Sequence, residues 1–102
     1  MAKKIKPVHP GEILREEFMT PLRLSMNKMA MALRVPVTRI ADIVNGRRSI
    51  TADTALRMAR YFKNTPAFWM NLQTRYDLEV AEDELAARVA RDVQPLEVVT
   101  AK

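Results

Sequence analysis

From about residue 10 to residue 90, apolar positions recur every three or four residues, the period of helices that bury one face. Ile13, Leu14 and Phe18 form the first stripe, in a helix expected over about 11–19 that His9-Pro10-Gly11 opens. Glu12, Glu16 and Glu17 near its start suit the positive end of the helix dipole. Pro21 is expected to end it. Ser25 is a good N-cap for a short second helix over about 26–33, with Met29, Ala30 and Leu33 facing inward. Arg34-Val35-Pro36 interrupts it, because Pro36 lacks an N–H donor and pushes Val35 out of the helical region. Proline is tolerated at the first position of a helix, so a third is expected to start at Pro36. Ile40, Ile43 and Val44 give that helix its inner face, and Asn45-Gly46 stops it. Two short helices joined by about three residues make a helix-turn-helix.

Thr51 caps a fourth helix, on which Ala52, Ala55, Leu56, Ala59 and Phe62 share a face. Thr65-Pro66 starts a fifth, carrying Phe68, Trp69, Leu72 and Tyr76. From Leu78 the stripe changes to Ala81, Leu85 and Val89 among acidic residues. This predicts a sixth amphipathic helix, or a bent continuation of the fifth, ended by Pro95. The expected class is all-α: a single domain, 1–102, of five to six helices. Its expected parts are a helix-turn-helix bundle at 8–76, an amphipathic helix for contact with a second chain at 77–94, and a flexible tail at 95–102.

Composition agrees and narrows the class. Only 2 glycines and 6% aromatics leave little material for the turns and strands of a β-sandwich or barrel. At 102 residues there is no room for a catalytic domain plus a separate cofactor module. With no cysteine and a single histidine, no disulfide, thiolate metal site, cysteine nucleophile or nucleophile–base pair is expected. Catalytic, cofactor and metal residues are therefore all expected to be absent. No apolar run reaches the roughly 18 residues of a membrane span, and Met1-Ala2-Lys3-Lys4-Ile5-Lys6 is not followed by a signal-peptide core. A cytoplasmic location is expected.

Charge gives the first indication of a partner. Residues 1–60 hold twelve basic and five acidic side chains, whereas 61–102 hold five and seven. Within 21–60 the basic residues are Arg23, Lys28, Arg34, Arg39, Arg47, Arg48, Arg57 and Arg60, against Asp42 and Asp53 alone. A one-sided basic block centred on a helix-turn-helix is the footprint of a polyanion binder. The second helix of such a motif offers its outward N-terminal residues to base edges, here Val37, Thr38, Arg39 and Asp42. Arg39 suits guanine O6 and N7, Thr38 a base or a phosphate, and Val37 a thymine methyl. Asp42 can accept from cytosine N4 or, equally, orient Arg39 one turn away by an ion pair. Arg47, Arg48 and Lys28 are placed for phosphate contact, and Arg57 and Arg60 off the DNA face. Trp69 falls in step with Leu72 and Tyr76, as expected of core or dimer packing.

The segment from Ser25 to Arg47 resembles the helix-turn-helix of phage-repressor-like (Xre-type) DNA-binding proteins. His9-Pro10-Gly11-Glu12, Val35-Pro36-Val37-Thr38-Arg39-Ile40, Asn45-Gly46-Arg47-Arg48-Ser49-Ile50-Thr51 and Phe68-Trp69-Met70-Asn71-Leu72-Gln73 together resemble the HigA family of antitoxins, over roughly residues 8–82. The resemblance implies a lambda-repressor-like bundle, usually a homodimer, that binds double-stranded DNA at an operator inverted repeat. It also implies repression of its own operon and a HigB-like toxin partner that cleaves mRNA on the ribosome. The helix at 77–94 would then face a sister subunit or the toxin. A stand-alone Xre-type regulator without a toxin shares every DNA-binding feature. The sequence departs from the family at the turn, where Arg34 stands in the place commonly held by glycine; a positive φ there costs of order 1 kcal/mol.

Overall fold

A computed structural model describes residues 6–97. The described chain forms five helices: α1 (residues 10–22), α2 (Met26–Leu33), α3 (Val37–Val44), α4 (Ala52–Phe62) and α5 (Pro66–Asp92). No strand occurs among the described residues.

Three helix starts rest on side-chain caps. Ser25 Oγ accepts from Lys28 N, Thr51 Oγ1 from Thr54 N and Thr65 Oγ1 from Phe68 N, each satisfying one orphan donor of the first turn. A fourth cap is less usual: the neutral Nδ1 of His9 accepts from Gly11 N at 2.9 Å. Three helix ends use a non-glycine residue in the left-handed region, Arg23 (φ 55°), Arg34 (φ 60°) and Lys63 (φ 60°). The strain expected at Arg34 is therefore present.

Three boundaries differ from expectation. Pro21 does not end α1, which continues to Leu22 because Leu14–Met19 widens into a π-helical turn. In a regular α-helix the Pro21 ring would strike the carbonyl four residues back. The wider turn, in which Thr20 N donates to Arg15 O, lets the chain pass. Pro36 is the extended N-cap of α3 and not its first residue. Of the two alternatives for the stretch after Leu78, a separate sixth helix or a continuation of the fifth, the chain takes the continuation, as one α5 of 27 residues. It ends at Asp92, three residues short of Pro95. Residues 95–97 are exposed and without regular structure; the rest of the expected tail, 98–102, lies outside the described residues.

Leu14, Met29, Ile40, Ile43, Ile50, Met58 and Trp69 form the centre of the core. The α4 face is rotated from the expected one: Thr54, Ala55, Met58 and Ala59 are buried, and Leu56 is 61% exposed. Phe18 gathers the aromatic residues, with ring centroids 4.9 Å from both Phe62 and Trp69. Trp69 is a core residue, and its Nε1 donates to Asn64 Oδ1 at 3.0 Å.

Two buried features link the bundle to the helix-turn-helix. Gln73 on α5 accepts from Ile50 N through Oε1 at 2.7 Å and donates through Nε2 to Ser49 Oγ and Asp77 Oδ1. It thereby holds the loop that leaves α3. Gly11 on α1 lies directly against the end of α3, where any Cβ would meet the backbone of Ile43 and Val44.

Candidate nucleic-acid interface

The α2–turn–α3 unit is fixed by backbone bonds at its corner. Arg34 N donates to Ala30 O and Met31 O, and Val35 N to Ala30 O, so the left-handed Arg34 reverses the chain before Pro36. Ile40, Ile43 and Val44 lock α3 against the core by one face. The opposite face begins with Val37, 40% exposed, and Thr38, also exposed. A short helix held on one side with its N-terminal turn free has the form needed to enter a major groove.

Of the two roles open to Asp42, the ion pair with Arg39 is not formed. Arg39 Nη1 donates to Asp53 Oδ2 on the first turn of α4 at 2.8 Å. Asp42 instead accepts from Arg47 through Oδ1, at 3.1 Å from Nη2. The α3 C-terminus makes this second pairing possible: Asn45-Gly46, with Gly46 at φ 75°, reverses the chain, and Arg47 N returns to Asp42 O at 2.7 Å. Arg48 is exposed beyond it and, with Arg39, Ser49, Thr51, Asp53 and Thr54, lines an open polar cleft between the exit loop and α4. Lys28 is exposed on the first turn of α2.

Asp53, given no role by the sequence, and Arg57, expected off the DNA face, join Arg39 in one hydrogen-bonded network. Arg57 Nε donates to Asp53 at 3.1 and 3.3 Å, while its Nη1 donates to Leu33 O, the last carbonyl of α2, at 2.9 Å. Only the Asp53–Arg57 part was legible, as an i,i+4 pair on one helix face. The hydrogen bonds from Arg57 and then Arg39 hold the Asp53 carboxyl below its usual range, keeping it ionised. Arg60 has no part in this network among the described contacts. It lines a shallow apolar depression with Ala32, Leu56 and Tyr61 on the α2–α4 face.

His9 is the other site of perturbed chemistry. Burial lowers its pKa, and the charge of Asp77 partly opposes that. It packs edge-on to Tyr76 with centroids 4.9 Å apart. Among the described residues no cluster of ligating side chains for a metal occurs, and no helix is long and apolar enough to cross a membrane.

A helix-turn-helix family model matches residues 14–69. The chain is 53% identical over 77 residues to virulence-associated protein I of Dichelobacter nodosus, an alignment covering 76% of this chain and 71% of that protein. Among solved structures it is similar to an addiction module antidote protein of the HigA family from Coxiella burnetii, 46% identical with a TM-score of 0.85. That match covers 90% of this chain and 100% of the other. The Pseudomonas aeruginosa antitoxin HigA, solved with the higBA promoter, is 42% identical with a TM-score of 0.86, covering 89% and 99%.

Proposed function

Because the chain belongs to the HigA family of helix-turn-helix antitoxins, we propose that it is a homodimeric, sequence-specific repressor of its own operon and the antidote to a HigB-like toxin that cleaves mRNA on the ribosome. The observation that carries the DNA half is the free N-terminal turn of α3 with Arg39 at its edge and the Arg47-Arg48 exit loop beside it. In this reading Val37, Thr38 and Arg39 meet base edges. Asp42 spends Oδ1 on Arg47 and offers Oδ2 to cytosine N4. Arg47, Arg48 and Lys28 contact phosphates and set the register. A two-fold dimer places two such helices one DNA turn apart, about 34 Å, over an inverted repeat.

The second half of α5 supports the protein-binding role. Every residue from Glu82 to Asp92 is exposed, with Leu85 and Val89 on a stripe that Leu78 begins. At about 1.5 Å per residue the helix is roughly 40 Å long, so this half extends past the bundle. An apolar stripe between acidic residues suits a sister helix or a basic toxin. In this reading the protein works in the cytoplasm, where its operon and the ribosome are.

The test has two arms. Titration of a duplex from the chain's own upstream region, against a shuffled duplex, is expected to show a preference that weakens with salt by a log–log slope of about 0.9 per phosphate neutralised. Arg39→Ala is expected to cost about 1–3 kcal/mol on the operator and much less on the shuffled duplex. Equal loss on both makes Arg39 a phosphate contact; no preference in the parent protein overturns the repressor reading. Co-expression with the adjacent small reading frame, followed by mass determination, is expected to yield a stoichiometric complex. A free dimer that still binds its promoter makes the protein a stand-alone regulator.

A further inference from the structure

Arg39 is the side chain on α3 best suited to read a guanine, and a flexible arginine reads poorly. Its guanidinium carries five N–H donors in a planar fork, and a bidentate contact to O6 and N7 needs two of them aligned. In the structure the fork is restrained. Its side chain is 28% exposed, against 63% for Arg47, and Nη1 is held by Asp53 at 2.8 Å. Asp53 is itself held. Arg57 Nε donates to both oxygens of its carboxylate, and Arg57 is anchored to the Leu33 carbonyl. A chain of charge-assisted hydrogen bonds thus runs from the end of α2, through Arg57 and Asp53 on α4, to Arg39 on α3. Asp42, the carboxylate nearer in sequence, is occupied by Arg47.

We propose that Asp53 is a positioning residue for operator recognition: its carboxylate, clamped by Arg57, fixes the Arg39 guanidinium by one nitrogen and presents the remaining donors to a guanine edge. This deepens the repressor reading and rests on it. A lone carboxylate near the phosphates of a duplex weakens binding to any sequence. Flanked by two guanidiniums, this one belongs to a cluster whose summed charge is positive. Its effect is on which sequence is bound rather than on whether DNA is bound. Asp53 lies outside the helix-turn-helix and touches no base in this scheme. It sets specificity through Arg39.

The discriminating quantity is the ratio of operator to shuffled-duplex affinity, measured at fixed salt for the full chain. Asp53→Asn removes the charge and keeps the shape. It is expected to raise affinity for the shuffled duplex slightly while lowering the ratio by about three- to tenfold, a part of the discrimination that one good bidentate pair supplies. In an Arg39→Ala background the same substitution is expected to change the ratio by less than about twofold, because the group it acts through is gone. Asp53→Ser, which keeps a polar residue on the first turn of α4, serves if the asparagine variant is poorly folded, and thermal melts of both record any loss of fold.

A ratio unchanged or increased by Asp53→Asn overturns the inference, as does an equal fall with and without Arg39. These outcomes are distinct from failure of the underlying reading. A parent protein with no operator preference sinks the repressor assignment and this inference together. A discriminating parent whose ratio ignores Asp53 sinks the inference alone.

Discussion

Substituting Gly11 by alanine adds one methyl group where α1 meets the end of the recognition helix. The new Cβ would overlap the Ile43 carbonyl oxygen and lie 2.7 Å from the Ile43 carbonyl carbon and 3.0 Å from Val44 Cα. Non-bonded carbons prefer about 3.5–4.0 Å, so the two helices must separate by roughly 1 Å. All three atoms are backbone, and no side-chain rotation can relieve the overlap. The Ile43 oxygen is also pinned, since it accepts from Gly46 N at 3.1 Å in the turn that ends α3. Overpacking of this kind costs about 1–3 kcal/mol and sometimes more. Against it stands the better helix propensity of alanine, at most about 1 kcal/mol in a helix interior and less in a first turn. The expected outcome is a net loss of up to about 3 kcal/mol, at roughly 4–8 °C in Tm for each kcal/mol in a domain of this size. Thermal melts measure that, and operator titration well below the melt measures the displacement of α3 separately. Both stability and operator affinity are expected to fall. A variant that melts at or above the parent would refute the close-approach argument.

Two other outcomes follow from features outside the DNA face. Leu85→Asp, on the exposed stripe of α5 (43% exposed), is expected to leave the melting of the bundle nearly unchanged while weakening self-association or toxin capture. An unchanged mass and an unchanged toxin complex would show that the stripe contacts neither. His9 has a depressed pKa in the fold, so its contribution to stability is complete above the ordinary histidine value near 6.5. It declines as pH falls through that value, levelling below the folded pKa, because the unfolded chain takes up the proton first and Nδ1 can no longer accept from Gly11 N. Tm measured between pH 5 and 8 is expected to slope downward on the acid side, and His9→Asn to flatten that slope; equal slopes count against the His9 cap.

The legible parts of this fold are those whose causes lie within one helical turn. Ser25, Thr51 and Thr65 each precede a helix and each bond three residues ahead, so α2, α4 and α5 begin where local chemistry puts them. Ile40, Ile43 and Val44 point inward because a short amphipathic helix has only one apolar side. Pro21 misleads because its effect depends on whether the preceding turn can widen, and that depends on how Leu14, Phe18 and Met19 pack. Leu56 misleads for a related reason: Thr54, a cap partner, and Met58, which is unbranched and fills irregular space, take the inner face of α4. The partner of Arg39 lies 14 residues away on another helix, a relation that only the tertiary fold creates. For Gln73 the separation is 23 residues. At the candidate interface the exposed first turn of α3 was readable, and of the ion-pair wiring only the Asp53–Arg57 pair was.

The left-handed helix ends bear on how this protein can change over evolutionary time. Arg23, Arg34 and Lys63 each hold a conformation that costs a side-chain-bearing residue about 1–2 kcal/mol, partly offset because a cation suits the negative end of a helix. Glycine at any of them relieves the strain and removes one positive charge. The chain therefore contains unused stability at three separate corners, in a domain of the size for which total stability is only about 5–15 kcal/mol. Arg23 and Lys63 lie outside the recognition unit, so a lineage that acquires glycine there gains tolerance for destabilising substitutions on α3. For the proposed repressor, that is a route by which operator preference can drift without loss of the fold.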